Sequence, residues 1–330
     1  MFASAWVIRK DLPIPTVPKV EQKLRWLKEH GDDYDVLFIG SSRTHGGIRP
    51  EAFDRLAASA GYPCRSFNLG INGMRPPEDT YLLSAALALR HKPIRWVIVE
   101  GIEFNVYADS FRGTRRLSYW HDGVRTAAVF RAICEPEPGR KFRFLSSWKR
   151  FSNFWSSLSL NAESGLAFSS NLGRGSEALE ESLALRTFSP LGTNGEALDG
   201  FGLHDDKEKI SEKEWEELRG DIAEYVKRPV EPALLSLESQ RQLQEKQRLI
   251  AKAGGKMMLF LPPVMRSPRI TPDPGYGKDI PVFNFSDPRE YPNLFLRENR
   301  LDSGHLNGPG SEIFTRLLAE QFVRSSRDRR

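Results

Sequence analysis

Three short apolar runs set the limits on what this chain can become. They are "VLFI" at Val36–Ile39, "IRWVIVEG" at Ile94–Gly101 and "KMMLFLPPV" at Lys256–Val264. Their apolar residues follow one another without alternation, and β-branched or aromatic types dominate. That is the text of strands buried on both faces, as in a parallel sheet. Parallel neighbours need crossovers, and the intervening text supplies helices. Glu21–His30 reads as a short helix. A second helix opens at Pro50 and closes at Gly61, and Pro76–Arg90 reads as a third. Between the last two, "CRSFNLG" reads as another short strand. After the third apolar run, "PVFNFSD" offers a weaker fifth strand. A long helix in "PALLSLESQRQLQEKQRLIAKAGG" precedes that third run. A last helix, in "GPGSEIFTRLLAEQFVRS", places Ile313, Leu317, Leu318 and Phe322 on one face. The expected fold is α/β: a three-layer flavodoxin-like sandwich with a central parallel sheet of about five strands.

The alternation breaks once. Residues 1–34 read as a lead-in and helix, and residues 35–103 as the first half of the sheet domain. Residues 229–325 form its second half and residues 326–330 a basic tail. The segment 104–228 between the halves is too long for bare loop in a compact domain, so it is expected to be a helical insertion over one end of the sheet. Its Ser/Gly/Asn-rich part, 164–206, reads as irregular. The aromatics of 142–155 read as packing surface, and "YWHDG" as a core aromatic pair followed by Asp122 as a helix cap.

Composition mainly excludes. Hydrophobic residues at 39% and charged ones at 28% suit a folded chain with a real core. The net charge of +5 is dispersed, and only "VRSSRDRR" is dense. No zinc-finger or RNA-recognition signature accompanies it, so no nucleic-acid partner is expected. Cys64 and Cys134 form no C-x-x-C, and Cys64 reads as an inert core thiol. The acidic residues show no metal-ligand spacing, and "GINGMRP" is not a dinucleotide loop, so neither metal nor cofactor is expected. No stretch reaches the roughly 18 apolar residues of a transmembrane helix. The apolar patch Ala5–Ile8 is too short for a signal-peptide core. A cytoplasmic location is the default expectation, with an extracytoplasmic one if that patch is the stub of an anchor. Oligomeric state is not legible.

In an open parallel sheet, ligands bind beyond the carboxyl ends of the strands. At those ends the chain places "GSSRTHGG", "NLGINGM", "EGIEFN" and, just before the last helix, "DSGHLN". Serines, glycine-rich backbone, an Asn or Glu, and an Asp three residues before a His are the parts for acyl transfer to serine.

These blocks resemble, in order, those of the SGNH (GDSL-type) hydrolases. "IGSSR" resembles the first block in the GSS form found in envelope D-alanylation and alginate-type O-acetylation proteins. "NLGINGM" resembles the second through Asn68 and Gly73, and "DSGHLN" the last through Asp302 and His305. The third block departs: Gly-x-Asn-Asp is expected, and "EGIEFN" puts Glu103 at the Asn position, with Asn105 available only if the loop is longer. The resemblance implies the SGNH hydrolase fold, with Ser42 as nucleophile, His305 as its base and Asp302 as the base's orienter. It implies an oxyanion hole of Ser42, Gly73 and Asn105. Arg43, Asn68, Glu103 and His121 are candidate substrate contacts, and His45 reads as a loop histidine. The implied activity is a serine esterase or acyltransferase acting on an O-acetyl or similar acyl ester, carbohydrate-linked by analogy with the envelope branch. The alternative is a non-catalytic SGNH-fold binding or assembly protein of a polysaccharide or envelope system.

Overall fold

A computed structural model describes residues 14–102, 104, 115–134, 148–170, 183, 190–192, 197–202, 209–227, 237–265 and 280–327. Helix α1 (Pro18–His30) leads into strand β1 (Val36–Ile39), the one-turn helix α2 (Ser42–His45) and helix α3 (Pro50–Ser59). Then come β2 (Ser66–Asn68), α4 (Glu78–Ala88) and β3 (Trp96–Glu100). The insertion contributes α5 (Arg115–Ser118), α6 (Gly123–Cys134), α7 (Trp148–Ser170) and α8 (Glu212–Lys227). The second half adds α9 (Leu237–Lys252), β4 (Lys256–Leu261), β5 (Val282–Asn284) and α10 (Gly308–Arg327). All five strands are parallel, in the order β2-β1-β3-β4-β5. The α/β sandwich expected from the apolar runs is therefore present, and its strand order is the flavodoxin-like one.

The period-two geometry of a strand divides each buried run between two cores. Leu37, Ile39, Val97, Val99 and Leu259 face α1, α4 and α9, meeting Leu24, Leu27, Leu82, Leu83 and Ile250. Val36, Phe38, Ile98, Met258 and Phe260 face α3 and α10, meeting Phe53, Phe314, Leu318 and Phe322. On that second face the rings of Phe53, Tyr62 and Trp96 all surround Phe322 at centroid separations of 5.1, 5.2 and 5.9 Å. Such ring pairs add about 0.5–1.5 kcal/mol each beyond area burial, so α10 is fixed firmly against the sheet. Its N-terminus, which follows the Asp302–His305 loop, is fixed with it.

Part of the insertion packs on a face of the sheet. Tyr119, Trp120, Val129 and Leu160 join the core on the α1/α4/α9 face rather than covering only the strand ends. Polar contacts hold it there: Glu78 of α4 pairs with Arg116 and accepts from the Tyr119 hydroxyl, and Glu238 of α9 pairs with Arg131. Asp122 caps α6 by accepting from the Arg125 N–H at 2.8 Å, as its position before the helix suggested. α7 runs to Ser170, into the stretch read as irregular, and there Phe168 meets the Tyr81 ring of α4 edge-on at 6.3 Å. The short segment 197–202 lies at the carboxyl end of β2, where the Asn68 N–H donates to the Asp199 carbonyl. Cys64 lies just ahead of β2 and is half-buried. Its thiol is pushed up to about 12 by burial and then by the charge of Asp54, which makes it inert.

Candidate active site

The strand order reverses between β1 and β3, and the crevice at that switch point is where an α/β sheet offers its loops to a ligand. β1 delivers Gly40, Ser41 and Ser42 there, and β3 ends in Glu100. Ser41 caps α2, accepting from the Arg43 N–H, so Ser42 is the first residue of the turn. Gly40 is required by proximity: a Cβ at that position would overlap the Thr44 hydroxyl and the Glu100 carboxylate.

Glu100 is completely buried beneath this turn. Its Oε2 accepts from the Ser41 N–H at 2.7 Å and the Thr44 hydroxyl at 2.7 Å. Its Oε1 accepts from Arg43 Nε at 2.7 Å, and the Ser41 hydroxyl donates across both oxygens at 2.9 and 3.0 Å. One carboxylate thus holds the residues on both sides of Ser42. The sequence reading passed over it; the signal was a charged residue closing an otherwise apolar strand, a position tolerated only when its partners are built in.

The predicted trio is brought together. Ser42 Oγ lies 2.7 Å from His305 Nε2. His305 Nδ1 lies 2.9 and 2.8 Å from the two oxygens of Asp302. Asp302 also accepts the N–H groups of Gly304 and His305, at 2.6 and 2.7 Å, closing its own tight turn. Burial alone would push the Asp302 carboxyl up, but the His305 ring and these two N–H groups outweigh it and hold the acid down at about 2. The loop in turn rests on Arg300, which is fully buried. Its guanidinium donates to the carbonyls of Asp302, Ser303 and Pro263 and lies over the Phe295 ring. Burial brings Arg300 down to about 10, still a cation at neutral pH. From the insertion, Glu214 of α8 accepts the Ser303 N–H at 2.8 Å.

The remaining candidates divide. Arg43 lines a small cleft together with Ser42, Gly46, Gly47, His305 and Phe314. Gly73 sits at an exposed turn with φ +71°, a conformation that favours glycine, and the turn is tied to the serine's loop by the Ile71 N–H on the Gly40 carbonyl. Asn68 is corrected. It is fully buried, its amide donating to the carbonyls of Thr44, His45 and Ile48 while its Oδ1 accepts the Gly70 N–H, so it staples two loops and presents nothing to a substrate. His121 is corrected too: it is buried in the insertion, stacked on Trp120 and bonded to Asn161, because two helices close over it. Glu103 and Asn105 lie outside the described residues. His45 is buried, with Nδ1 3.1 Å from Lys23 Nζ. That lysine, also fully buried, donates to the carbonyls of Asn68, Gly70 and Gly200 and ties α1 to both loops and to the insertion. Its sequence context did not mark it, since it is one of several charged residues in a helix whose apolar residues Val20, Leu24 and Leu27 already account for its buried face.

Among the described residues, no group of three or more His, Cys, Asp or Glu could hold a metal ion, and no helix is long and apolar enough to cross a membrane. Compared with known proteins, the chain matches no family model and no curated sequence.

Proposed function

We propose that this chain is a serine esterase or acyltransferase of the SGNH type, acting on a small ester-linked acyl group, with an O-acetyl ester as the first substrate class. The observation that carries the reading is the continuous Ser42–His305–Asp302 chain of hydrogen bonds at a sheet's switch point. His305 Nε2 takes the Ser42 proton as Oγ attacks the ester carbonyl, and Asp302 keeps Nδ1–H pointed away and offsets the imidazolium charge. The tetrahedral oxyanion draws on backbone N–H groups, for which Ser42 and Gly73 are the candidates. The proton then passes from His305 to the leaving alcohol oxygen as the carbonyl C–O bond breaks. Water repeats the sequence on the acyl-serine in hydrolysis, and a second alcohol does so in transfer. Both routes need only the ester and the acceptor.

The test is release of p-nitrophenol from p-nitrophenyl acetate by wild type, Ser42→Ala and His305→Ala. Each variant should lose roughly 10⁴-fold or more in kcat, since members of such a unit fail together. A fluorophosphonate should label wild type at Ser42. Three proteins at the buffer rate, with no label, would leave a non-catalytic binding protein of the same fold as the better account.

A further inference from the structure

Arg43 differs from an ordinary surface arginine in how its guanidinium is committed. Its Nε is taken, donating to Glu100 at 2.7 Å and lying 3.2 Å from the Ser41 hydroxyl. Glu100, the acid that balances it, is sealed behind the serine with no exposed surface, whereas the Arg43 side chain keeps 26% of its own. The two terminal nitrogens, Nη1 and Nη2, have no acceptor among the described residues. The residue lines the same cleft as Ser42 and His305, and no carboxylate is among that cleft's described lining residues.

A guanidinium held at Nε still offers its end-on edge, two parallel N–H donors at the spacing of a carboxylate. Its plane is already fixed by the buried acid, so little side-chain freedom remains to be lost when a ligand arrives. The rest of the cleft is Gly46, Gly47, Pro263, Gly304, Leu306 and Phe314, small or apolar surface suited to an acyl methyl. Resting on the esterase reading above, we propose that Arg43 is a charge-recognition residue and that the preferred ester carries a carboxylate on its alcohol portion. Glu100 is then its positioning residue as well as the serine's.

The inference can be tested without turnover. In the Ser42→Ala background, 4-acetoxybenzoate and its methyl ester share acyl group and ring and differ in charge. Calorimetric titration should show the anion binding roughly ten- to a hundredfold tighter, the range of one charge-assisted contact. Adding Arg43→Gln should bring the ratio near one. Adding Arg43→Lys, which keeps the charge but not the flat edge, should leave an intermediate ratio, and it serves if the Gln variant does not fold. Equal affinities in Ser42→Ala, a preference that survives Arg43→Gln, or no binding of either ester at millimolar concentration would overturn the proposal. Anion preference without wild-type turnover of either ester would keep this site and remove the esterase reading. Turnover without preference would do the reverse.

Discussion

Two carboxylates serve Ser42 from opposite sides, and they differ in nearly every physical respect. Asp302 sits on a loop with 38% of its side chain exposed, and its principal partner is the His305 imidazole, whose other nitrogen meets Ser42 Oγ. Glu100 ends a central strand with none of its side chain exposed, and its partners are an amide, two hydroxyls and a guanidinium, all of them donors. A carboxylate's role can be read from its donors. One that faces the serine's own hydrogen-bond partner belongs to the chemistry. One that faces fixed donors belongs to the geometry on which the chemistry stands.

The largest effect should come from breaking the exposed side. Asp302→Asn keeps an oxygen for the Gly304 and His305 N–H groups, so the turn should survive. The amide cannot hold His305 in the required tautomer, and kcat on p-nitrophenyl acetate should fall by about 10⁴-fold. The melting temperature should move little, because an exposed ion pair contributes on the order of 0–1 kcal/mol. A loss below tenfold would mean that His305 is oriented by something other than Asp302.

The buried side should answer in the other currency of measurement. Glu100→Gln turns one acceptor into a donor and sets it against the donors that now converge on the carboxylate. Breaking a buried, paired charge costs roughly 3–5 kcal/mol, so the urea midpoint should fall markedly before any effect on rate is considered. If Gln is tolerated within about 0.5 kcal/mol, Glu100 is not the clamp its bonds suggest.

The same contrast explains what could be read from the sequence. The Asp302–His305 turn is local, three residues apart, and a local pattern survives in linear text. The strands were legible because apolar runs have a single economical use in a sheet. Glu100, Arg300 and Lys23 were not, since each is a charge with partners from distant parts of the chain: Ser41 and Thr44 for Glu100, Pro263 for Arg300, Gly70 and Gly200 for Lys23. Asn68 misled for a related reason. An Asn at a strand's carboxyl end can face a ligand or tie loops together, and only the positions of the Thr44 and Ile48 carbonyls decide. Within the insertion, His121 depended in the same way on Asn161, 40 residues on, which the linear order does not bring near.

The smallest effect sharpens the contrast by asking what Asp302 adds to stability. Its folded acid is held at about 2, below the ordinary 3.8, by the His305 ring and two backbone N–H groups working against burial. A depressed acid adds stability that is present above the unfolded value and is lost as pH falls through the folded one, here between about 4 and 2. At face value the depression corresponds to about 2 kcal/mol, but a carboxylate this exposed is screened by water and should retain less than about 1 kcal/mol. Part of that is gone by pH 3. Urea unfolding of wild type and Asp302→Asn, each at pH 5 and pH 3, isolates it, because every other carboxylate is common to both proteins. Wild type should lose a few tenths of a kcal/mol more than the variant over that interval. A difference of several kcal/mol would mean that Asp302 is as structural as Glu100, and the division of labour between the two acids would collapse. A difference near the expected size leaves Asp302 almost free to be changed without unfolding the protein, which is the condition under which its effect on rate can be measured cleanly.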